Sequence, residues 1–396
     1  MSLDRQQYLS TFRQAIERIS GQHGEPSLRD FQGTVSDLQK VAPFMPGAKA
    51  KLAVLTALGA GTDRDDQRAN TLFMESAMGG LPPIVRELGV IVLSSGINDG
   101  IAATLLTRAV HGGDWIAGFL IVKEALRGRY LLDRDPLIAI ASSFAETVPF
   151  KDEIDEAIKE IPKQFITVRP EEFDPIACQR ALDKASPKAP KNIPGPTTDE
   201  PEVAVHDHVL SPLECDYLIA ISCAAMQPSK VVSAKDAGSL QAGFRTSDGA
   251  VIFPHMLDLP TVRILQKLSS AAGIEPQFGE FLSLLRYRPG QEYKPHHDFL
   301  EVDDRDYSMI ARCGQRSATL LTYLNDDYSG GETAFPALDF KYKGKTGSSV
   351  YFRNTDRNGK PIQKSLHAGC PIVQGQKWMA TLWVREKPFW PWIRDD

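Results

Sequence analysis

The sequence is poor in cysteine, in long hydrophobic runs and in runs of a single charge. Its five cysteines form no CxxC pair and no paired framework, so we expect reduced thiols in a cytoplasmic protein. No hydrophobic run reaches the length that a membrane-spanning helix needs, and the stretch MSLDRQQYLSTFRQAIERIS has no basic-then-hydrophobic signal layout. The net charge of −5, without a long Lys/Arg run, argues against a nucleic-acid or membrane partner.

Glycines recur at a fixed interval in the first half of the chain. Gly47, Gly80 and Gly113 are 33 residues apart, and each opens a segment with a helical pattern. Two helices per unit at this period are typical of a helical solenoid, similar to tetratricopeptide and Sel1-like repeats. Such a region would serve as a binding surface for a protein or peptide, or as a packing platform or homodimer interface, and the residues leave these alternatives open.

The second half begins after a proline-rich stretch. Residues 186–202 contain five prolines, a composition that favours an extended linker. Next, SPLECDYLIAIS predicts a helix start, because Ser211 and Glu214 have the spacing of a capping box. The segments FLSLLRY, SATLLTYL, SVYF and WMATLWV then predict short antiparallel strands separated by turns.

These patterns predict a multidomain α+β protein. We expect an all-α helical-repeat domain over residues 1–185, a linker over 186–202 and a second domain over 203–396. Short strands with long turns indicate that the second domain is a double-stranded β-helix (jelly-roll) with supporting helices.

The stretch YRPGQEYKPHHDF contains the candidate metal ligands. His296 and Asp298 are two residues apart in a predicted strand, so both side chains point the same way and His297 points away. A third candidate, His367, follows a GGET turn, and Lys377 comes ten residues later. Two histidines and one carboxylate bind Fe(II) on one face and leave positions open for cosubstrate and oxygen. A lone HxD pair is a weak signal, and the order of the later elements strengthens it.

These blocks carry a resemblance to a known family. Residues from about 203 to 388 resemble the prolyl 4-hydroxylase branch of the Fe(II)- and 2-oxoglutarate-dependent dioxygenases, in YRPGQEYKPHHDF, GQRSATLLTYLNDDYSGGETAF, SVYFRN, SLHAGCPIVQGQKW and ATLWVRE. The resemblance implies catalytic Fe(II) bound by His296, Asp298 and His367, with 2-oxoglutarate as cosubstrate, dioxygen as the second substrate and ascorbate as reductant. Cys370 is expected to be a small buried residue rather than a ligand.

The resemblance also implies a binding site for 2-oxoglutarate. Lys377 matches the family's anchor for the distal carboxylate, while Tyr287 and Thr333 match its hydroxyl donors. Strand alternation makes the anchor testable, since an inward Lys377 places Thr381 and Trp383 inward as well. A buried ammonium needs a partner, and the cosubstrate would supply one.

Four further residues are candidates for substrate contact. The resemblance places Arg316, Tyr293 and Trp383 near a proline-containing peptide, and the alternative for each is barrel packing or a surface ion pair. Arg245 lies in GSLQAGFRTSDGAVIF, which resembles the family's mobile loop over the peptide groove, and would meet substrate or solvent.

The implied reaction is hydroxylation of an unactivated C–H bond, with release of succinate and CO₂. The leading substrate is carbon 4 of a prolyl residue in a peptide or protein, as in a procollagen-proline 4-dioxygenase. A free amino acid or a small peptide natural product is the alternative substrate. The non-enzyme alternative is a helical-repeat interaction protein with an inactive barrel.

Overall fold

The computed structural model describes residues 5–22, 25–144, 154, 159, 161–185, 202–229, 245–301 and 304–393. The linker expected at 186–202 lies outside this part of the chain except for Glu202, and so do residues 238–244 of the expected mobile loop. The chain forms two compact units. The first is Met1–Pro187 with Pro254–Arg263 and Asp395–Asp396, and the second is Lys188–Phe253 with Ile264–Arg394.

The first part of the chain is helical. Its described helices are α1 (Arg5–Arg18), α2 (Leu28–Val41), α3 (Pro46–Leu58), α4 (Asp66–Ala77), α5 (Pro82–Ser95), α6 (Asp99–His111), α7 (Trp115–Leu126), α8 (Arg134–Phe144) and α9 (Pro175–Ala185). Helix α3 packs against α4, and α5 packs against α6. Gly47 lies in the first turn of α3, whereas Gly80 and Gly113 precede α5 and α7. The period of 33 residues therefore marks repeating helix pairs, as predicted.

Glycine also allows close packing at the open end of two helix pairs. A Cβ atom on Gly79 would lie 2.4 Å from the ring of Pro46, and one on Gly112 would lie 2.4 Å from the ring of Pro82. Each proline occupies the first turn of its helix, where its missing N–H costs no hydrogen bond. The same proline–glycine contact thus recurs in two consecutive helix pairs, where it joins the start of the first helix to the end of the second.

The second part of the chain combines strands with a few helices. Its helices are α10 (Pro212–Ser222), α11 (Leu259–Ala271) and α12 (Asp304–Cys313). Its strands are β1 (Val203–His206), β2 (Gln227–Pro228), β3 (Asp248–Val251), β4 (Ser283–Tyr287), β5 (Tyr293–His296), β6 (Arg316–Tyr323), β7 (Ser329–Gly330), β8 (Thr333–Phe335), β9 (Phe340–Tyr342), β10 (Ser349–Arg353), β11 (His367–Gly369), β12 (Ile372–Gln374) and β13 (Lys377–Arg385). Helix α10 begins with the predicted capping box of Ser211 and Glu214.

The strands form the expected antiparallel jelly-roll. The larger sheet has the order β1-β10-β6-β13-β4-β3-β2, a second has the order β5-β11-β8-β9, and β12 pairs with β7. The four strands predicted from the sequence are β4, β6, β10 and β13, and they are neighbours in the larger sheet. Side chains of both sheets, including Leu285, Leu321, Phe335 and Phe352, share one buried hydrophobic core.

Two features of the composition have structural counterparts. All five cysteines are free thiols. Among the described residues, no helix combines the length and the hydrophobicity required to cross a bilayer.

Candidate active site

Two adjacent strands of the four-stranded sheet, β5 and β11, bring the three predicted metal ligands together. His296 ends β5, His367 begins β11, and the two residues pair across the sheet. Asp298 follows in the turn after β5. Its Oδ1 lies 3.7 Å from Nε2 of His296, and its Oδ2 lies 3.6 Å from Nε2 of His367. Among the described residues, His296, Asp298 and His367 form the group that can hold a metal ion, because their donor atoms lie within 4.8 Å of one another.

Backbone carbonyls orient both imidazoles. Nδ1 of His296 lies 2.8 Å from the carbonyl oxygen of Lys294, and Nδ1 of His367 lies 3.0 Å from that of Ser365. A carbonyl accepts only, so each Nδ1 donates and each Nε2 keeps its lone pair for the cluster. His297 points away and contacts the carbonyl oxygen of Gln363.

The protonation states of the two histidines and of Asp298 favour the binding of a cation. Burial, with His367 close by, lowers the pKa of His296 to about 3, and burial also lowers the pKa of His367. Burial alone would raise the pKa of Asp298, but the two histidines, Arg316 and a hydrogen bond from Thr319 hold that pKa below its ordinary value. Two neutral imidazoles and one carboxylate form a donor set that fits Fe(II).

A cavity beside the cluster contains the predicted cosubstrate residues. Tyr287, Thr333 and Lys377 all line it. Lys377 begins β13 and is 2% exposed, and its Nζ donates a 2.6 Å hydrogen bond to the carbonyl oxygen of Gly331. Burial lowers the pKa of Lys377 to about 7. Because an ammonium has three donors, Lys377 can bind an anion in addition to this carbonyl.

Alternation along β13 follows the prediction. Thr381 and Trp383 line the same cavity as Lys377. Thr381 Oγ1 and Trp383 Nε1 are buried and have no hydrogen-bond partner among the described residues. Unpaired polar atoms at a cavity wall suit an oxygen-rich ligand, which would satisfy them.

Tyr323 is a residue of this site that the sequence analysis missed. Its hydroxyl donates a 2.6 Å hydrogen bond to Oγ1 of Thr333, which leaves the Thr333 proton for another acceptor. Tyr323 is fully buried on β6, two residues after the cavity-lining Leu321. The sequence did contain a signal for Tyr323: side chains alternate along β6, so residues 321 and 323 lie on the same face.

Three of the four candidate substrate residues also line the cavity: Arg245, Tyr293 and Trp383. The Tyr293 ring stacks on the His296 ring with 3.5 Å between centroids, and the Arg245 guanidinium lies 5.3 Å from the Tyr293 centroid. Tyr293 therefore contacts both His296 of the metal cluster and Arg245 of the cavity wall.

Arg316 has a different environment. It donates two hydrogen bonds to Glu280, of 2.6 and 2.9 Å, and its guanidinium lies 4.0 Å over the Trp383 ring. The sequence left open barrel packing or a surface ion pair, whereas this pair is largely buried and the guanidinium lies against a cavity-lining indole.

Cys370 differs from its expected environment. Instead of being a small buried residue, it is half-exposed and lines the cavity. The bend that follows β11 explains this position, since the backbone N–H of Cys370 bonds to the carbonyl of Glu332 and holds the residue at the wall.

Comparisons with known proteins identify relatives of part of this chain. The profile of the 2OG-Fe(II) oxygenase superfamily matches residues 282–385. Prolyl 4-hydroxylase 1 of Arabidopsis thaliana is 35% identical over 201 residues, which are 47% of this chain and 70% of that protein. Prolyl 4-hydroxylase 2 of the same plant is 34% identical over 213 residues, covering 48% of this chain and 70% of that protein.

Two solved structures each cover just under half of the chain. A viral collagen prolyl hydroxylase from Paramecium Bursaria Chlorella virus-1, in a 2OG complex, is 30% identical with a TM-score of 0.37, covering 46% of this chain and 95% of that one. A Sel1 repeat protein from Oxalobacter formigenes is 19% identical with a TM-score of 0.31, covering 44% of this chain and 71% of that one.

Proposed function

The chain belongs to the prolyl 4-hydroxylase family of the 2OG-Fe(II) oxygenases, and we propose that it hydroxylates carbon 4 of a prolyl residue in a peptide or protein. It is a dioxygenase that uses Fe(II) and 2-oxoglutarate. The observation that carries the proposal is the buried cluster of His296, Asp298 and His367 beside a cavity that holds the ammonium of Lys377. An intact site of this kind disfavours the alternative of an inactive barrel.

We assign the metal to the three clustered side chains. Nε2 of His296, Nε2 of His367 and a carboxylate oxygen of Asp298 would hold Fe(II), which with 2-oxoglutarate and dioxygen supplies the chemistry that converts C–H to C–OH. The carbonyls of Lys294 and Ser365 keep both imidazoles in the binding tautomer. Three protein ligands leave coordination positions open to the cavity.

The cosubstrate would lie between the metal and Lys377. The Lys377 ammonium would pair with the distal carboxylate, and the free Thr333 proton would donate to the same group. Burial raises the pKa of Tyr287, so its hydroxyl stays neutral and able to donate. These three side chains bind and orient the cosubstrate, and the hydrophobic residues Leu285, Leu321 and Met379 of the cavity wall exclude water.

The substrate would approach along the aromatic wall. Tyr293 and Trp383 offer flat faces to a pyrrolidine ring, and Arg245 offers donors to peptide carbonyls. Arg316, which donates from Nε and Nη2 to Glu280 and stacks on the Trp383 ring, would act on the substrate through that ring. In this proposal the helical repeats present the polypeptide, and ascorbate restores enzyme lost to uncoupled turnover.

Mass spectrometry after aerobic incubation tests the substrate class. The full-length protein is mixed with Fe(II), 2-oxoglutarate and either proline-containing peptides or free amino acids. A gain of one oxygen atom on a peptide proline is the expected result. A gain on a free amino acid alone would overturn the peptide proposal, and the helical repeats would then serve assembly.

Substitution of the ligands tests the metal assignment. His296→Ala and His367→Ala should each abolish succinate formation and weaken metal binding. His297→Ala is the matched control, because its ring points away from the cluster and should leave both measurements near wild type. Normal turnover by either ligand variant would refute the assignment.

A further inference from the structure

Two buried polar residues behind the metal cluster, Thr319 and Asn354, belong to no role described so far. We propose that Thr319, itself held by Asn354, is a positioning residue that fixes the rotation of the Asp298 carboxylate and leaves Oδ1 to bind the metal. The inference rests on the proposed metal assignment.

The three side chains form a continuous hydrogen-bond chain. Thr319 lies on β6, and its Oγ1 is 2.7 Å from Oδ2 of Asp298. Asn354 follows β10, the neighbour of β6, and its Nδ2 is 2.9 Å from the same Oγ1. Thr319 and Asn354 are both 0% exposed and Asp298 is 6% exposed, so water does not compete for these bonds.

The chemistry of the groups sets the direction of the chain. An ionised carboxylate accepts hydrogen bonds and cannot donate, so the Thr319 hydroxyl must donate its proton to Asp298. Asn354 Nδ2 donates to the lone pair of that hydroxyl and so disfavours any other orientation of the proton. The backbone holds Asn354 in place, because its N–H bonds to the carbonyl of Ser317 and its carbonyl accepts from the N–H of Ile362.

The bond makes the two carboxylate oxygens unequal. Within the described part of the chain, Asp298 accepts one hydrogen bond from a side chain, and it falls on Oδ2. Oδ1 accepts no such bond from the described residues and lies 3.7 Å from Nε2 of His296, while Oδ2 lies 3.6 Å from Nε2 of His367. Outer-shell hydrogen bonds orient metal ligands in this way, and their loss typically lowers metal affinity about 10- to 100-fold.

Thr319→Val tests the inference, because valine keeps the shape of threonine and removes the hydroxyl. Co(II) is titrated into the metal-free full-length protein, and affinity and the visible absorption bands are measured without turnover. We expect Thr319→Val to weaken Co(II) binding by about tenfold or more. We also expect its absorption bands to change, since a freed Oδ2 can join the coordination shell. Thr319→Ser, which retains the hydroxyl, should restore both properties.

Thr322→Val is the matched control. Thr322 lies on the same strand and is also 0% exposed, but three residues away it faces the other side, where its Oγ1 is 2.7 Å from Oγ of Ser349. This variant loses a comparable buried hydrogen bond without affecting Asp298. Its Co(II) affinity and spectrum should match those of the wild type.

A double-mutant cycle tests the part played by Asn354. Asn354→Ala should weaken Co(II) binding in the wild-type background and have no further effect in the Thr319→Val background, because Asn354 acts through Thr319. Additive effects would contradict the role of Asn354. If the valine variant does not fold, Thr319→Ala, which also removes the hydroxyl, takes its place in the cycle. If the wild type itself fails to bind Co(II), the metal assignment is wrong. If all variants bind equally well, this inference alone is wrong.

Discussion

At the scale of single residues, the buried ammonium of Lys377 makes cosubstrate binding depend on pH. Its pKa is lowered from 10.5 to about 7 by burial, so the free site holds mostly neutral amine above that pH. A dicarboxylate ligand requires the charged form, and binding therefore takes up a proton. The free energy of unfolding of the ligand-free protein should rise with pH between about 7 and 10.5, because the unfolded chain binds the proton there.

The prediction is that the dissociation constant of 2-oxoglutarate rises by up to about tenfold per pH unit above pH ~7. Calorimetry at about pH 8.5 in buffers of different ionisation enthalpy should show uptake of close to one proton. Lys377→Arg is the control, since a guanidinium stays charged and takes up none. Proton uptake by the arginine variant equal to that of the wild type would assign the titration to another group.

At the scale of elements, two helices begin with the same capping box. Ser27 caps α2 with Asp30, and Ser211 caps α10 with Glu214. We predict that Ser27→Ala and Ser211→Ala each cost about 1 kcal/mol. Hydrogen exchange should then accelerate about fivefold in the first turn of the affected helix and stay unchanged in the other. Equal acceleration in both helices by one variant would contradict a local role.

The proline–glycine contacts within the helix pairs give a second prediction at this scale. Gly112→Ala should destabilise the helical unit by about 1–3 kcal/mol, because the new methyl group would clash with the Pro82 ring. Gly96→Ala is a control without a clash, since no atom lies within 4 Å of its Cβ position, although its φ of 64° adds some strain. Thermal unfolding followed by circular dichroism measures both. A larger loss for Gly96→Ala would show that backbone strain outweighs packing.

At the scale of the whole molecule, ligand binding should stabilise the two units unequally. The proposed metal and cosubstrate residues all belong to the second unit. Fe(II) with 2-oxoglutarate, without oxygen and at about 100 times the dissociation constant, should stabilise that unit by about 2.7 kcal/mol. Hydrogen exchange should slow about 100-fold in β4, β6 and β13 and change little in α3 to α7. Similar slowing in those helices would contradict the prediction.

The sequence by itself determined the class of each half and the atoms that carry the chemistry. Strand alternation placed Lys377 with Thr381, because both lie on β13 and side chains there have a period of two, whereas Asp298 meets His296 from the turn that follows β5. The glycine period predicted the helix pairs for a similar reason, since each repeat folds from contiguous residues. The capping box was predictable from the sequence because its two residues, Ser211 and Glu214, are only three positions apart.

The tertiary structure decided the features that depend on contacts between distant segments. Glu280 accepts a hydrogen bond from Arg316, which is 36 residues away in the sequence, and Asn354 donates one to Thr319, which is 35 residues away. No local pattern encodes such pairs, because the partners are far apart in the sequence and only the folded domain brings them together. Tyr323 on β6 reaches Thr333 on β8, a strand of the other sheet, and Cys370 lies at the cavity wall, through contacts that the sequence does not show.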